Sequence, residues 1–301
     1  MTIELPAAVR AMSDRGPDWA RWVETLPGWT QSQLHEWELR VDGAPTHGTT
    51  SLVLPVLTPQ GRPAMLKMGF PDADSEHEHL ALRRWAGHGT VRLLSAQPHR
   101  RALLLDRLHS RDLTTIPDVE ACAVVCDLYR RIHVPALPQL RTLTTWLELQ
   151  TADLAQLPRN TPLPRRLIEQ ALTLGHDLIG DPAADGTLLH TDLHYENVLA
   201  ACSDTAQPWL VIDPKPLAGD PHFEIAPLLW NRWQELAGDV RDGVRRRFYT
   251  IIDAAQFDED RARAWVILRM VHNAVWELRE ATRPDPAWLT VCVAVAKAVQ
   301  D

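Results

Sequence analysis

The chain has 301 residues, 45% of them hydrophobic and 23% charged, a profile that fits a globular protein of two lobes or domains and excludes a disordered one. No stretch approaches the roughly 18 consecutive apolar residues of a membrane span, and Glu4 and Asp14 interrupt the N-terminus where a signal peptide would be apolar, so a cytoplasmic protein without membrane contact is expected. The net charge of −8 argues against nucleic acid as a partner, because a phosphate backbone rewards clustered Lys and Arg.

The leading residues 1–35 read as helical. From about 36 to 108 the chain turns strand-like. EWELRV, SLVLPVL, AMLKM, VRLLS and RALLLDRL are short apolar or β-branched runs bounded by turn residues such as TPQGRP. One helix interrupts them: Asp74 or Ser75 is its expected N-cap, and Glu78, Ala81, Leu82 and Trp85 recur at i, i+3, i+4 and i+7 on a single face.

Beyond residue 111 the pattern is helical, over 118–133, 140–157, 164–179, 223–237, 240–255, 258–281 and 286–299, with Gly180 and Gly238 as stops. Only NVLAA and WLVIDP break it, as a short hairpin. The division predicted is an N-terminal lobe over 1–108 and a helical lobe over 109–301. Arg245 to Arg247 read as a solvated helix face. The cysteines Cys122, Cys126, Cys202 and Cys292 lack C-x-x-C spacing and read as reduced, buried small hydrophobes. No histidine has partners at zinc spacing, and no G-x-S-x-G elbow occurs.

Chemistry concentrates in LLHTDLHYENVL. His190-x-Asp192-x4-Asn197 has the spacing of a kinase catalytic loop, in which the aspartate accepts the proton of a hydroxyl nucleophile and the asparagine offers its carbonyl oxygen to Mg²⁺. His190 is expected to brace the loop through a backbone hydrogen bond, with Leu188, Leu189, Val198 and Leu199 anchoring its ends. Asp213 ends the strand WLVID, and Pro214 stops that strand abruptly. This sets a second hard oxygen ligand beside Asn197 across the hairpin.

In the strand-rich part, Lys67 is the one charge in AMLKM, and a half-buried ammonium needs a carboxylate or a phosphate. Glu78, on the apolar face of the following helix, is its expected partner, and Glu76 points elsewhere. DGAPTHGTTS, with Gly43 and Gly48, lacks a full G-x-G-x-x-G. The backbone of Gly48 and the hydroxyls of Thr49, Thr50 and Ser51 are nonetheless candidates to line phosphates. Asp106, Arg107 and Leu108 follow the last strand, where backbone groups would meet adenine.

LLHTDLHYENVLAA, WLVIDPKPLAGDPHFEIAPLLWNRW, SLVLPVL, AMLKMGFPD, LRRWAGHGTVRLL and ALLLDRL together resemble the aminoglycoside 6-phosphotransferase (streptomycin kinase) and hydroxyurea phosphotransferase family of the protein-kinase-like aminoglycoside phosphotransferases. The resemblance implies an α+β, protein-kinase-like two-lobed fold, with a small antiparallel-sheet N-lobe carrying one main helix and a larger, mainly helical C-lobe. It also implies ATP and Mg²⁺ as cosubstrates, Asp192 as base, Asn197 and Asp213 as metal ligands, and Lys67 on the phosphates.

The reaction expected is O-phosphorylation of a small, cationic molecule, an aminocyclitol antibiotic such as streptomycin, by a monomer or weak dimer. Hydroxyurea and an endogenous metabolite are the alternative acceptors. A catalytically silent nucleotide-binding homologue is the reading of a different class, against which the complete set Lys67, Asp192, Asn197 and Asp213 argues. Candidates to face the substrate are Glu196, Asp220, Glu224, Trp230, Glu235 and Glu277, together with Trp233 and Trp276 as cation–π partners. Lys215, two residues past Asp213, adds a cation that sits awkwardly beside a polycationic acceptor.

Overall fold

The computed structural model describes residues 3–158, 160–202, 208–281 and 283–300. Its contacts divide into two compact units, Met1–Ser110 with Ala200–Leu210, and Arg111–Leu199 with Val211–Asp301. Among the described residues no helix is long and apolar enough to cross a membrane.

The first unit opens with α1 (Ala7–Ala11) and α2 (Pro17–Glu36), the latter started by a proline whose fixed φ suits the first helical position. Strands β1 (Arg40–Val41), β2 (Thr46–His47), β3 (Ser51–Leu57) and β4 (Pro63–Gly69) follow, then α3 (Glu78–Trp85), β5 (Leu93–Gln97) and β6 (Ala102–Asp106). The sheet is antiparallel in the order β1-β3-β4-β6-β5, with β2 also on β3.

Register sorts its residues by face. Leu52 pairs with Met68, Leu54 with Leu66, Val56 with Ala64, and Leu66 with Leu104. All are buried in one cluster with Trp22 and Leu26 of α2, and burying each leucine contributes about 1.5–3 kcal/mol. The opposite parity places Lys67 between Val53 and Leu103, on the other face, because a strand alternates its side chains.

Two local expectations fail here. EWELRV forms a strand only at Arg40–Val41, since the preceding helix continues through Glu36, with Trp37 N–H bonded to Gln33 O at 3.1 Å. Neither Asp74 nor Ser75 caps α3. His77 precedes that helix, and the N–H of Ser75 is taken by Asp72 at 2.7 Å instead.

The second unit begins with α4 (Asp118–Ile132), α5 (Leu143–Ala155) and α6 (Arg165–Ile179). It ends with α7 (Ala226–Trp230), α8 (Val240–Ala255), α9 (Glu259–Glu280) and α10 (Pro286–Ala298). Side-chain caps start three of them, from Thr142, Asp258 and Asp285. Between the two helical groups lie β7 (Thr187–Leu189), β8 (Val198–Ala200), β9 (Trp209–Val211) and β10 (Leu217–Gly219). β8 and β9 form the expected hairpin, and β7 pairs antiparallel with β10, Leu188 opposite Ala218. A Cβ on Gly219 would stand 2.5 Å from Leu189 and 3.0 Å from Leu143, so this close ribbon requires glycine. The four short strands hold the ends of the segments 190–197 and 212–216.

The helix expected over 223–237 is broken into a 3₁₀ turn at Pro221–Glu224, α7, and a second 3₁₀ turn at Trp233–Leu236. Arg232 lies between the last two with φ 57°, and its guanidinium donates to Leu113 O and Ile116 O at 3.2 and 2.9 Å. Those long-range bonds outweigh helical propensity. The basic cluster is not uniformly solvated either. Arg247 is fully buried, 2.7 Å from Asp118 and 2.7 Å from Asn231 O. Cys202 is exposed, and the other three cysteines are buried as expected.

Candidate active site

In the first unit, Lys67 Nζ lies 2.7 Å from each carboxylate oxygen of Glu78, with both side chains almost wholly buried. The strand period turns Lys67 toward α3, and the helical period places Glu78 on the face that meets it. Glu76 is more than half exposed, 3.9 Å from Arg101. The 42–50 loop is fastened by its backbone. Arg15 donates to Thr49 O and the N–H of Phe70 to Thr50 O, both at 2.8 Å, and Gly48 N–H bonds Ser51 O at 3.0 Å. Thr49 is exposed, whereas Ser51 is buried.

Asp106, Arg107 and Leu108 line a cleft of about 1070 Å³ together with Leu82, Leu93 and Leu210. The side chain of Asp106 pairs with Arg62 at 2.5 Å, and its N–H is taken by Arg92 O. Arg107 braces the sheet through Asp42 and Val56 O, both at 2.8 Å.

The second unit holds the loop. His190 donates from Nε2 to Ile212 O at 2.8 Å and accepts the N–H of Asp192 on Nδ1 at 3.2 Å. Burial holds its pKa below the ordinary histidine value, so the ring is a neutral brace. Asn197 uses Nδ2 for Asp192 O at 2.8 Å and for His194 at 3.1 Å, so its amide oxygen carries no hydrogen bond among the described residues. Its main-chain oxygen accepts from Ile212 N at 2.9 Å, which sets Asn197 beside the residue preceding Asp213. Thr191 and Asp213 adopt left-handed φ values of 63° and 58°, a strain of the kind that clusters at functional sites.

Asp192 is half-buried. Its Oδ2 is bonded by Lys215 Nζ at 2.6 Å, and its Oδ1 forms no hydrogen bond among the described residues. Behind the loop, a single oxygen of Glu224 accepts the N–H groups of both His190 and Thr191, the latter at 2.8 Å. Its other oxygen faces His133 at 3.2 Å. Arg269, buried on α9, donates to Thr191 O and to Phe223 O, and burial lowers its pKa to about 10. The hydroxyl of Tyr195 donates to Leu228 O at 2.9 Å, with Arg232 and Arg247 over its ring.

Residues 36–281 match the family described as aminoglycoside/hydroxyurea antibiotic resistance kinase. The chain belongs to that family. It is 38% identical to a streptomycin 6-kinase of Streptomyces glaucescens, over 97% of each chain. It is also 38% identical to a hydroxyurea phosphotransferase of Kitasatospora aureofaciens, over 92% of this chain and 81% of that one. Among solved structures it resembles a thermostable aminoglycoside phosphotransferase mutant in ternary complex with ADP and hygromycin B. That match has TM-score 0.55 and 16% identity, covering 90% of this chain and 98% of that one. The protein is thus a phosphotransferase with the protein-kinase-like fold of these enzymes, an antiparallel sheet followed by a mostly helical part.

In this kinase two of the expected substrate carboxylates are turned inward. Asp220 is buried, where it accepts from Trp265 Nε1 at 2.6 Å and His222 N at 3.0 Å and pairs with Arg261. Glu224 is the buried brace of the backbone at His190 and Thr191. Both are corrections: each carboxylate is consumed by donors of its own chain. Glu235 pairs with Arg232, and Glu277 accepts the N–H of Asp285 at 2.8 Å. The cation over Trp230 is the protein's own Arg269, 5.2 Å from the ring centroid. Glu196 is largely exposed, 3.9 Å from His194, Trp233 is partly buried, and Trp276 is 60% exposed. Arg269 was missed because nothing local separates it from the other arginines of its helix.

Proposed function

We propose that this kinase transfers the γ-phosphoryl group of ATP to a hydroxyl of streptomycin, with Mg²⁺ as cofactor. The observation that carries the acceptor is end-to-end similarity to a streptomycin 6-kinase, covering 97% of both chains. Asn197 and Asp213 offer a hard-oxygen pair suited to Mg²⁺, and the unengaged amide oxygen of Asn197 is consistent with that role. When bound, the ion neutralises charge across the β- and γ-phosphates. Asp192 Oδ1 receives the proton of the acceptor hydroxyl as that oxygen bonds to the γ-phosphorus and ADP leaves. Lys67, held by Glu78, neutralises phosphate charge, and the exposed Thr49 of the 42–50 loop covers the phosphates, so the work is positioning and electrostatics.

Hydroxyurea is the second reading, and one observation favours it. Lys215 and Arg269 gather positive charge around Asp192 while Asp220 and Glu224 face inward, and a small uncharged acceptor meets no like-charge repulsion there. The test is ATP-dependent phosphate transfer to streptomycin, other aminoglycosides, hydroxyurea and a panel of amino-alcohols and sugars. Streptomycin is expected to turn over, with Asp192→Ala slowing it by about 10²–10⁴-fold. Turnover of hydroxyurea alone would move the acceptor to the second reading, and an unimpaired Asp192→Ala enzyme would remove Asp192 as base.

A further inference from the structure

The geometry points to Lys215 as a positioning residue that locks one oxygen of Asp192 and leaves the other to act as base. This rests on the reading of Asp192 given above and goes one step beyond it. Three bonds fasten residue 215 to the loop. Its N–H donates to His190 O at 2.9 Å, its carbonyl accepts the Thr191 hydroxyl at 2.5 Å, and its ammonium donates to Asp192 Oδ2 at 2.6 Å.

The left-handed turn at Asp213 makes this possible, since it brings the chain leaving β9 back across residues 190–192. The ammonium is therefore delivered by a segment stapled on both sides to the loop it serves, and not by a freely swinging side chain. Charge-assisted bonds of this length are short and directional, so the carboxylate cannot rotate without breaking one. Oδ2 is committed. Oδ1, with no hydrogen bond among the described residues, takes the proton as the acceptor oxygen bonds to phosphorus and the bond to ADP breaks.

A residue that acts through Asp192 has no effect when Asp192 is gone, and this separates positioning from a general structural role. Lys215→Met, Lys215→Arg, Asp192→Ala and Asp192→Ala/Lys215→Met are compared in single-turnover ADP release with streptomycin, and with hydroxyurea, alongside ATP binding and thermal melting. Lys215→Met is expected to lower the transfer rate by about 10²-fold, the low end of a general base's contribution, with ATP affinity within about twofold of wild type. Lys215→Arg is expected to restore about a tenth of wild-type rate or more. In the Asp192→Ala background the further loss is expected to be less than about twofold, the signature of residues acting as a unit.

Undiminished transfer in Lys215→Met overturns the inference. So does a full, additive loss in the Asp192→Ala background, which would place the ammonium directly on the phosphates. If Lys215→Met melts before assay, Lys215→Gln replaces it in the same comparison. If Asp192→Ala itself keeps wild-type turnover, the reading of Asp192 fails first, and the two failures are told apart.

Discussion

Glu224 takes the backbone N–H of Thr191 at 2.8 Å with the same oxygen that takes the N–H of His190, so one buried carboxylate fixes the backbone that leads into Asp192. Removing it leaves two buried donors unpaired, at about 1–3 kcal/mol each. Glu224→Ala is expected to lose stability on that scale in urea unfolding and to lose turnover with it, and Glu224→Gln, which keeps an acceptor, to lose less. Burial raises the pKa of Glu224, but the hydrogen bond and charge of His133 and the Thr191 N–H outweigh it and leave the value lowered. Its contribution is therefore full above the unfolded value of about 4.3 and is lost as pH falls through the lower folded value. The stability gap between wild type and Glu224→Gln should shrink as pH falls below about 4. A gap that widens in acid would contradict the assignment.

The buried pair Lys67–Glu78 offers a way to separate folding from chemistry. Lys67→Met strands a carboxylate in a nearly dry site, and breaking such a pair costs about 3–5 kcal/mol. Adding Glu78→Gln removes the stranded charge, so the double variant should regain much of that stability. It should not regain kcat/KM for ATP, because the ammonium is still missing. Urea midpoints and steady-state kinetics on the two variants decide it: recovery of activity in the double variant would show that Lys67 serves the fold alone.

Arg246 and Arg247 are neighbours in sequence and opposites in setting. Arg246 pairs with Asp239 at 2.9 Å, with both side chains more than half exposed, and such solvent-screened pairs add little to stability. Arg247 is fully buried against Asp118. Arg247→Ala is expected to cost about 3–5 kcal/mol in chemical denaturation, and Arg246→Ala to leave the midpoint close to wild type. Equal midpoints for the two would contradict the burial.

That contrast also marks where the sequence stops being legible. Lys67 and Glu78 could be paired in advance because a period of two and a period of 3.6 each assign a face, and His190, Asp192 and Asn197 because their spacing is local. Arg247 could not be singled out from the two arginines before it. Its burial depends on Asp118, 129 residues away. The break at Arg232 likewise follows from carbonyls of Leu113 and Ile116, and LLWNRWQEL carries a helical period with no hint of them. Pairing of β7 with β10 joins two three-residue strands, too short for alternation to be read. Asp220 and Glu224 looked like substrate carboxylates because residue type alone does not reveal whether donors from the chain's own backbone will claim them.

The cysteines give a test that is independent of catalysis. Burial pushes the thiol of Cys122 up to about 11 and those of Cys126 and Cys292 up to about 12. At pH 7.5 these three are protonated as well as inaccessible, and the reactive species is the thiolate. Cys202 is exposed. A maleimide applied to the native protein is therefore expected to add one label per chain, mapping to Cys202 by peptide mass analysis. After denaturation it should add four. Because burial disfavours the three thiolates, raising the pH to 9 should leave Cys122, Cys126 and Cys292 unlabelled over the same interval. A second label appearing in step with the first under native conditions would show that the helices burying Cys122, Cys126 or Cys292 open more readily than their packing indicates.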